Sequence, residues 1–200
     1  MDTTVQQAGR DREPLAVDIL ADAFRGDPVM NWIGPTDHYP QFAFTLALSI
    51  FAPHQRLYLT GDESGAAIWL PPGVRTSRLA GLRILRKTWW QYGGRCTWRC
   101  LTVLDHLDRH HPTEPHHYLF AVGVRAAERG RGIGSALLRH VLDQADRQGQ
   151  PAYLENTHPD NLALYQRHGF RVRHQLQLPR GGPPVWLMWR RPREQGAGAG

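Results

Sequence analysis

The chain has 200 residues, a formal net charge of +6 and 41% hydrophobic residues, which is enough apolar surface for one folded domain. The polar first residues lack the apolar core of a signal peptide, and no segment reaches the roughly 20 apolar residues that span a bilayer, so secreted and membrane-spanning classes are excluded. We therefore expect a cytoplasmic protein with one domain over residues 1–192 and a disordered, low-complexity tail over 193–200.

The first half of the chain predicts helices and one hairpin. Apolar residues repeat at helical spacing over 14–25, and a second apolar helix is predicted over 39–51. Residues 56–70 predict a β-hairpin around the turn "GDESG". Residues 75–109 are rich in Arg, Trp and Leu, and they predict one or two helices that are interrupted near Gly93-Gly94.

The second half of the chain alternates strands and helices. A strand "YLFAVGV" precedes a helix over 135–148, and the short strand "AYLEN" follows it. A helix crossover between two strands implies that the strands lie parallel. A short helix, "LALYQRH", and two end strands complete the order. This order predicts an α/β (α+β) domain with a central mixed, twisted β-sheet flanked by helices.

The cysteines, the histidines and the net charge limit which metals, cofactors and partners the sequence predicts. Cys96 and Cys100 are four residues apart, which predicts two free thiols on one helix face, because a disulfide framework needs more cysteines and an oxidising compartment. The histidine pairs at 110–111 and 116–117 lack the spacing of a metal site, so no metal is predicted. The basic charge suits nucleic acid, anionic lipid or a phosphate-rich cofactor. No recognition motif accompanies it, so neither nucleic acid nor a membrane is expected as a partner.

The stretch "RGRGIGSALL", residues 129–138, places three glycines and two arginines at the start of a predicted helix. Glycines let backbone N–H groups approach a ligand, and the first turn of a helix adds uncapped N–H groups and a positive dipole end. The loop is therefore an anion cradle that favours phosphate. A nucleotide triphosphatase loop requires a lysine after the glycines, and this loop has none, so that class is excluded. The G-x-G-x-G spacing is also a poor match to the G-x-G-x-x-G motif of dinucleotide-binding proteins.

The same residues resemble the acetyl-coenzyme A loop of the GCN5-related N-acetyltransferase (GNAT) family, whose signature is Arg/Gln-x-x-Gly-x-Gly/Ala. Arg129, Gly132 and Gly134 fill this signature. The stretch "LENTHPDNLALYQRHGF" is similar to the second family signature, so the resemblance covers about residues 117–190. Within the family, this region looks most like the antibiotic-modifying branch represented by puromycin N-acetyltransferase.

The resemblance implies a splayed parallel strand pair that forms a wedge for acetyl-CoA. It implies that the pantetheine arm bonds to the strand before the loop and that the pyrophosphate takes the amides of the loop. The residues that it carries over to cofactor binding are Val122, Gly123, Val124, Arg129, Gly130, Arg131, Gly132, Ile133, Gly134, Ser135, Asn161 and Tyr165.

The resemblance also implies direct attack of an amine on the thioester in a ternary complex. Tyr165 matches the family tyrosine beside the cofactor sulfur, where a phenol can protonate the departing thiolate. The strand before the loop lacks the acid that many relatives carry there. Glu155, which matches a glutamate of the puromycin-like branch, is therefore the first candidate base. His117 is the second, because histidine titrates near neutrality.

The acceptor is less well defined than the cofactor. Asp27 and Trp32 are candidate substrate residues, because pockets are often lined by aromatic side chains with a few polar groups. A small primary amine, antibiotic-like or a metabolite, is the first substrate class, and a peptide or protein amine is the second. A non-catalytic acyl-CoA-binding module is the alternative from another functional class. A monomer or a homodimer is expected.

Overall fold

Seven strands and six helices make up the part of the chain that the computed structural model describes, residues 3–51, 54, 56–74 and 78–193. The strands are β1 (Val5–Ala8), β2 (Arg56–Thr60), β3 (Gly65–Leu70), β4 (His117–Val124), β5 (Ala152–Asn156), β6 (Arg171–Gln177) and β7 (Pro184–Arg190). The helices are α1 (Glu13–Ala23), α2 (Pro28–Ile33), α3 (Tyr39–Phe51), α4 (Arg78–His110), α5 (Ile133–Arg147) and α6 (Leu162–Arg167). The predicted tail lies, apart from Arg193, outside the described residues.

The strands form one mixed sheet in the order β1-β2-β3-β4-β5-β7-β6. β4 and β5 pair in parallel, whereas each of the other described neighbours is antiparallel. α5 connects the two parallel strands, as the order of elements in the chain predicts. The predicted α/β (α+β) class with a mixed central sheet is therefore confirmed, and the parallel pair lies in the middle of the sheet.

Helices cover both faces of this sheet. The core beneath α5 and α6 includes Leu154 of β5, whereas the neighbouring Tyr153 belongs to the core on the face covered by α2 and α4. Successive side chains of a strand point to opposite faces, so the central strands require apolar cover on both sides. The residues predicted to line one face of α5 are all buried: Ile133, Leu137, Leu138, Val141, Leu142 and Ala145.

Two short elements, β1 and α2, are not predicted from the sequence. β1 is four residues long and owes its strand character to antiparallel pairing with β2, which places Val5 opposite Thr60. The pair Asp27-Pro28 indicates the end of α1, but it also begins α2. The Asp27 carboxylate accepts the N–H groups of Val29 at 3.0 Å and Met30 at 2.9 Å, as a helix N-cap does.

The helix after β3 is interrupted where the sequence predicts. Gly93 has φ 76° and ψ −176°, a conformation that glycine adopts without a Cβ penalty.

Cys96 and Cys100 beyond Gly93 are free and buried, which confirms the predicted pair of thiols. Burial raises the pKa of each thiol to about 11, so both stay protonated at neutral pH. Among the described helices, none is both long and apolar enough to cross a membrane.

A buried ion pair joins the end of β7 to α5. The Arg190 guanidinium donates to both Asp146 carboxylate oxygens, at 2.7 and 2.6 Å, and its Nε donates to the His168 carbonyl at 2.8 Å. Burial by itself raises the Asp146 pKa. The hydrogen bonds and charge of Arg190, together with the backbone N–H of Arg193, outweigh burial and hold this pKa below its ordinary value. The pair ties the last strand to the helix that follows the glycine loop.

Asp146→Asn should destabilise the fold by about 3 kcal/mol near neutral pH, because it leaves a buried guanidinium without its counter-charge. The depressed pKa means that the pair contributes fully above the unfolded carboxyl pKa of about 3.9, and that the contribution is lost as the pH falls through the lower folded value. Urea unfolding should therefore show a deficit near neutral pH that shrinks below about pH 4.

Asp143→Asn is the matched control for this experiment, since Asp143 is exposed on the same helix. It should change the free energy of unfolding by less than about 0.5 kcal/mol. A neutral-pH stability of Asp146→Asn equal to that of the wild type would contradict the role of the pair.

Candidate active site

β4 and β5 separate part-way along their length. Their parallel pairing ends at Leu119 opposite Leu154. β4 then continues to Val124 against β3, and β5 continues to Asn156 against β7. Residues 120–124 therefore present one backbone edge to a gap rather than to β5. Each strand is held by its outer neighbour, so the gap is a fixed opening in the sheet.

A β-bulge lies where the two strands separate. On β3, Ile68 pairs with Ala121 and Trp69 pairs with Leu119, which leaves Phe120 as an extra residue on β4. A bulge bends its strand and re-aims the residues that follow. Phe120 and Ala121 consequently both pack with the core beneath α1 and α3. The bend accompanies the departure of β4 from β5.

The glycine loop adjoins the Val124 end of the gap. Gly130 and Gly132 both have φ 80°, in the left-handed region that favours glycine. A Cβ at either position would meet no atom within 4 Å, so both glycines border open space. A Cβ at Gly134 would lie 3.8 Å from the Val124 side chain, an ordinary contact distance that places the loop beside β4.

The first turn of α5 faces this open space. Gly132 is the N-cap residue, and no side chain caps the helix. Its carbonyl accepts the N–H of Ala136 at 3.0 Å, so the N–H groups of Ile133, Gly134 and Ser135 precede the intrahelical bonds. The Ile133 side chain is buried in the core, and only its backbone serves the loop. These N–H groups and the dipole end fit a pyrophosphate.

The arginines of the loop are anchored to neighbouring elements. Arg129 donates to the Ala23 carbonyl at the end of α1, at 2.7 Å. Arg131 pairs with Glu128, three residues before it. Both arginines remain exposed. The Arg129 contact holds the loop against α1, whereas the Arg131 ion pair lies within the loop segment itself.

Tyr165 lies on α6, on the α5 face of the sheet. It is 7% exposed and packs edge-on against Phe170, with ring centroids 6.1 Å apart. Burial raises the pKa of its phenol well above the ordinary value, and the negative charge of Asp27 adds to this shift. The phenol is therefore protonated at neutral pH and can donate a hydrogen bond or a proton.

Asp27 approaches from the opposite helix layer. It is 6% exposed, and it accepts a hydrogen bond from the hydroxyl of Thr157, the residue after β5. Burial raises the pKa of Asp27, although the hydrogen bonds from Thr157 and the α2 backbone partly oppose this shift. Asp27 therefore links the start of α2 to the residue that follows β5, one of the two strands that border the gap.

Glu155 lies one residue beyond the last parallel pair, with a side chain that is 7% exposed. Its carboxylate accepts a hydrogen bond from the Tyr118 hydroxyl and lies 3.4 Å from His111 Nδ1. The Tyr153 hydroxyl is buried without a hydrogen-bond partner among the described residues. Its pKa is raised by burial and then by the Glu155 charge. The Tyr153 hydroxyl is thus buried close to the Glu155 carboxylate.

His117 does not reach this site. It begins β4, at the end opposite the gap, and its Nε2 lies 3.2 Å from Gln148 Oε1 near the end of α5. Burial lowers its pKa, so the ring is neutral and enclosed. We therefore do not retain His117 as a base. Across the described residues, no three His, Cys, Asp or Glu side chains converge in a way that could hold a metal ion.

The structure also gives the contacts of Trp32 and the exposure of Asn161, two residues that the sequence analysis singled out. Trp32 packs edge-on against Trp98 of α4, with centroids 6.3 Å apart, and the Arg99 guanidinium lies 5.0 Å from its ring. These contacts join α2 to α4. Asn161 is exposed before α6, and its side chain does not cap that helix, which leaves the amide accessible from outside.

Sequence reasoning missed Tyr118, Thr157 and His111. Tyr118 pairs with Tyr153, two residues before Glu155, and residues two apart on a strand face the same side of a sheet. Tyr118 and Glu155 are therefore neighbours only because of the register between the strands. The parallel pairing itself is predicted, but its register is not, and the contacts of Thr157 and His111 come from loops.

Residues 38–170, more than half of the chain, match the model of the acetyltransferase (GNAT) family. The matched range contains β4, β5, the glycine loop and α6. The chain belongs to the GNAT family. It is an N-acetyltransferase, and the family resemblance predicted from the two sequence signatures is confirmed.

The similarity to individual relatives extends over almost the whole chain. An uncharacterized N-acetyltransferase of Schizosaccharomyces pombe is 28% identical and aligns with 86% of this chain and 77% of its own. A structure from Corynebacterium glutamicum, named histone acetyltransferase HPA2 and related acetyltransferase, is 27% identical with a TM-score of 0.71, over 97% of this chain and 98% of that one. Arylalkylamine N-acetyltransferase 2 of Aedes aegypti shares the fold, with 12% identity and a TM-score of 0.65 over 95% and 99% of the two chains.

Proposed function

We propose that this N-acetyltransferase binds acetyl-CoA at the gap between β4 and β5 and transfers the acetyl group to a primary amine of a small molecule, an antibiotic-like compound or a metabolite. The transfer is a direct attack in a ternary complex. The GNAT family uses acetyl-CoA as its co-substrate, which supplies an acetyl group activated as a thioester. The observation that carries the proposal is the gap itself, which has the glycine cradle at one end and Glu155 at its edge.

The backbone around the gap suits a phosphorylated, amide-containing cofactor. Gly130 and Gly132 border the open space at the start of α5, where uncapped N–H groups can bind the pyrophosphate. The unpaired β4 edge over residues 120–124 can bond to the amides of an extended arm, as a strand does. Backbone N–H groups near Val122 would polarise the thioester carbonyl. Asn161, exposed before α6, adds an amide at the outer side.

Glu155 and Tyr165 divide the proton transfers. Only a neutral amine attacks a thioester, and Glu155 takes the proton from the incoming ammonium ion, directly or through a water molecule beside the Tyr153 hydroxyl. Tyr165 gives its proton to the sulfur that leaves, because its raised pKa keeps the phenol protonated until that step. The attached nitrogen loses its second proton as the amide forms, and this proton returns to the Tyr165 phenolate. Each turnover therefore leaves one net proton on Glu155.

The acceptor side favours a small cationic amine. The Glu155 side chain is 7% exposed, and α2 and α4 pack over the β5 and β7 side of the sheet, which leaves little room for an extended polypeptide. The net charge of the chain is +6, but the carboxylates of Asp27 and Glu155 lie near the gap. These two side chains would attract an ammonium ion to the gap. The name of the Corynebacterium relative makes a protein amine the second candidate.

Thiol release from acetyl-CoA tests the proposal across puromycin, aminoglycosides, polyamines, amino acids and peptides. We expect release with at least one class of small amine and none with the peptides, because the buried carboxylate admits only a small group. Release with peptides alone would make protein amines the substrates. Acetyl-CoA binding by calorimetry without release for any amine would favour the non-catalytic acyl-CoA-binding module.

Gly132→Glu should weaken acetyl-CoA binding at least about 100-fold, since like charges brought together cost several kcal/mol. Gly149→Glu is the matched control, because Gly149 also has a positive φ and open space at its Cβ, but lies just after α5, at the end opposite the cradle. Calorimetry should show an affinity for Gly149→Glu within about threefold of the wild type. Equal affinities for the two variants would remove the cradle assignment.

Tyr165→Phe should lower kcat about 100-fold or more, because it removes the proton donor to the sulfur. The acetyl-CoA affinity should stay within about threefold, since the ring and its packing remain. Tyr58→Phe, which removes a hydroxyl from an equally buried tyrosine on β2, should leave kcat unchanged. Steady-state kinetics with wild-type kcat for Tyr165→Phe would exclude Tyr165 as the acid.

A further inference from the structure

The loop after α4 inserts a histidine beside the Glu155 carboxylate. His111 Nδ1 lies 3.4 Å from Glu155 Oε1. The ring is held by Tyr118 and Tyr153, whose centroids both lie 5.0 Å from it, with nearly perpendicular planes. His111 is the first residue beyond the helix, so its position depends on these contacts to β4 and β5.

His111 lies between the buried carboxylate and the solvent. The Glu155 side chain is 7% exposed, and that of His111 is 22% exposed. The other hydrogen-bonded partner of Glu155, Tyr118, cannot take up a proton, because burial and then the Glu155 charge raise its pKa well above the ordinary value and keep the phenol protonated. Among the described ion-paired and hydrogen-bonded contacts of Glu155, His111 is the side chain whose ring nitrogen can accept a proton.

The proposed reaction produces one proton for each amine that arrives as an ammonium ion. Glu155 holds this proton after the amine attacks and must lose it before the next turnover. Direct transfer to bulk water is hindered, because the Glu155 side chain is only 7% exposed. His111 removes this obstacle, because its Nδ1 lies beside the carboxyl group while its side chain is 22% exposed to solvent.

We propose that His111 relays the proton from Glu155 to solvent, an inference that rests on the proposed function. The Glu155 carboxyl group gives its proton to Nδ1 of the neutral His111 ring. The imidazolium then releases one proton to water, which returns the ring to its neutral form and leaves Glu155 ionised. No other bond forms or breaks. His111 acts through Glu155 and does not itself touch the substrate.

The neighbouring histidine does not compete for this proton. The rings of His116 and His111 have centroids 5.1 Å apart. Burial lowers the pKa of His116, and a positive charge on His111 lowers it further, although its bond to the Glu114 carbonyl opposes both effects. The other titratable groups that face the pair are Tyr118 of β4, Tyr153 of β5 and Glu114 of the loop. The charge of Arg173 on β6 acts on Tyr153.

His111→Asn and His110→Asn form a matched pair of variants. An asparagine amide at 111 can still donate to Glu155 but cannot carry a proton, whereas His110 is exposed, with its Nδ1 2.8 Å from the His106 carbonyl. We expect His111→Asn to lower kcat about tenfold or more, with the KM of the amine within about twofold. Its solvent deuterium isotope effect on kcat should rise. His110→Asn should match the wild type.

Added imidazole separates proton transfer from packing. The kcat of His111→Asn should increase with imidazole concentration, because an external base replaces the missing ring, and the wild-type kcat should not change. A His111→Asn enzyme with wild-type kcat, or a deficit that imidazole does not reduce, overturns the relay. A wild-type protein that releases no thiol with any amine overturns the proposed function itself, so this first measurement tells the two failures apart.

Discussion

The early end of the pairing between β4 and β5 is the constraint on which the rest of the site depends. Unpaired backbone groups inside a sheet are costly, so a gap persists only where the surrounding structure holds it open. Here β3 and β7 hold the two strands from outside, and the bulge at Phe120 bends β4 where the pairing stops. The fold itself thus holds the unpaired edge in place, and a ligand with amide groups can complete the sheet.

Buried carboxylates act on the tyrosines around the gap. Here the Asp27 charge contributes to the raised pKa of Tyr165, and the Glu155 charge does the same for Tyr118 and Tyr153. Such interactions are strong because little water reaches these groups. The exposed loop arginines and the enclosed carboxylates give the two sides of the site opposite charge.

Much of the fold follows from local patterns, and parts of the site do not. The six buried positions of α5, the hairpin before the break, the kink at Gly93 and the parallel crossover all come from periodicity, glycine placement and element order. β1 and α2 are too short for periodicity to show. His117 looks like a base because histidine titrates near neutrality, yet the strand carries it to the end away from the gap.

Local patterns in the sequence are sufficient to predict the fold class, the family and the position of the glycine-rich loop, because each depends on residues that are close together along the chain. Glycine spacing, helix periodicity and a strand-helix-strand order are local properties that survive without coordinates. Only the tertiary structure decided that Glu155 meets Tyr118 and His111, and that the Asp27 charge reaches Tyr165. Those contacts depend on the strand register, on the β-bulge and on the conformation of the loops. Packing between distant segments sets all three, and no short run of residues does.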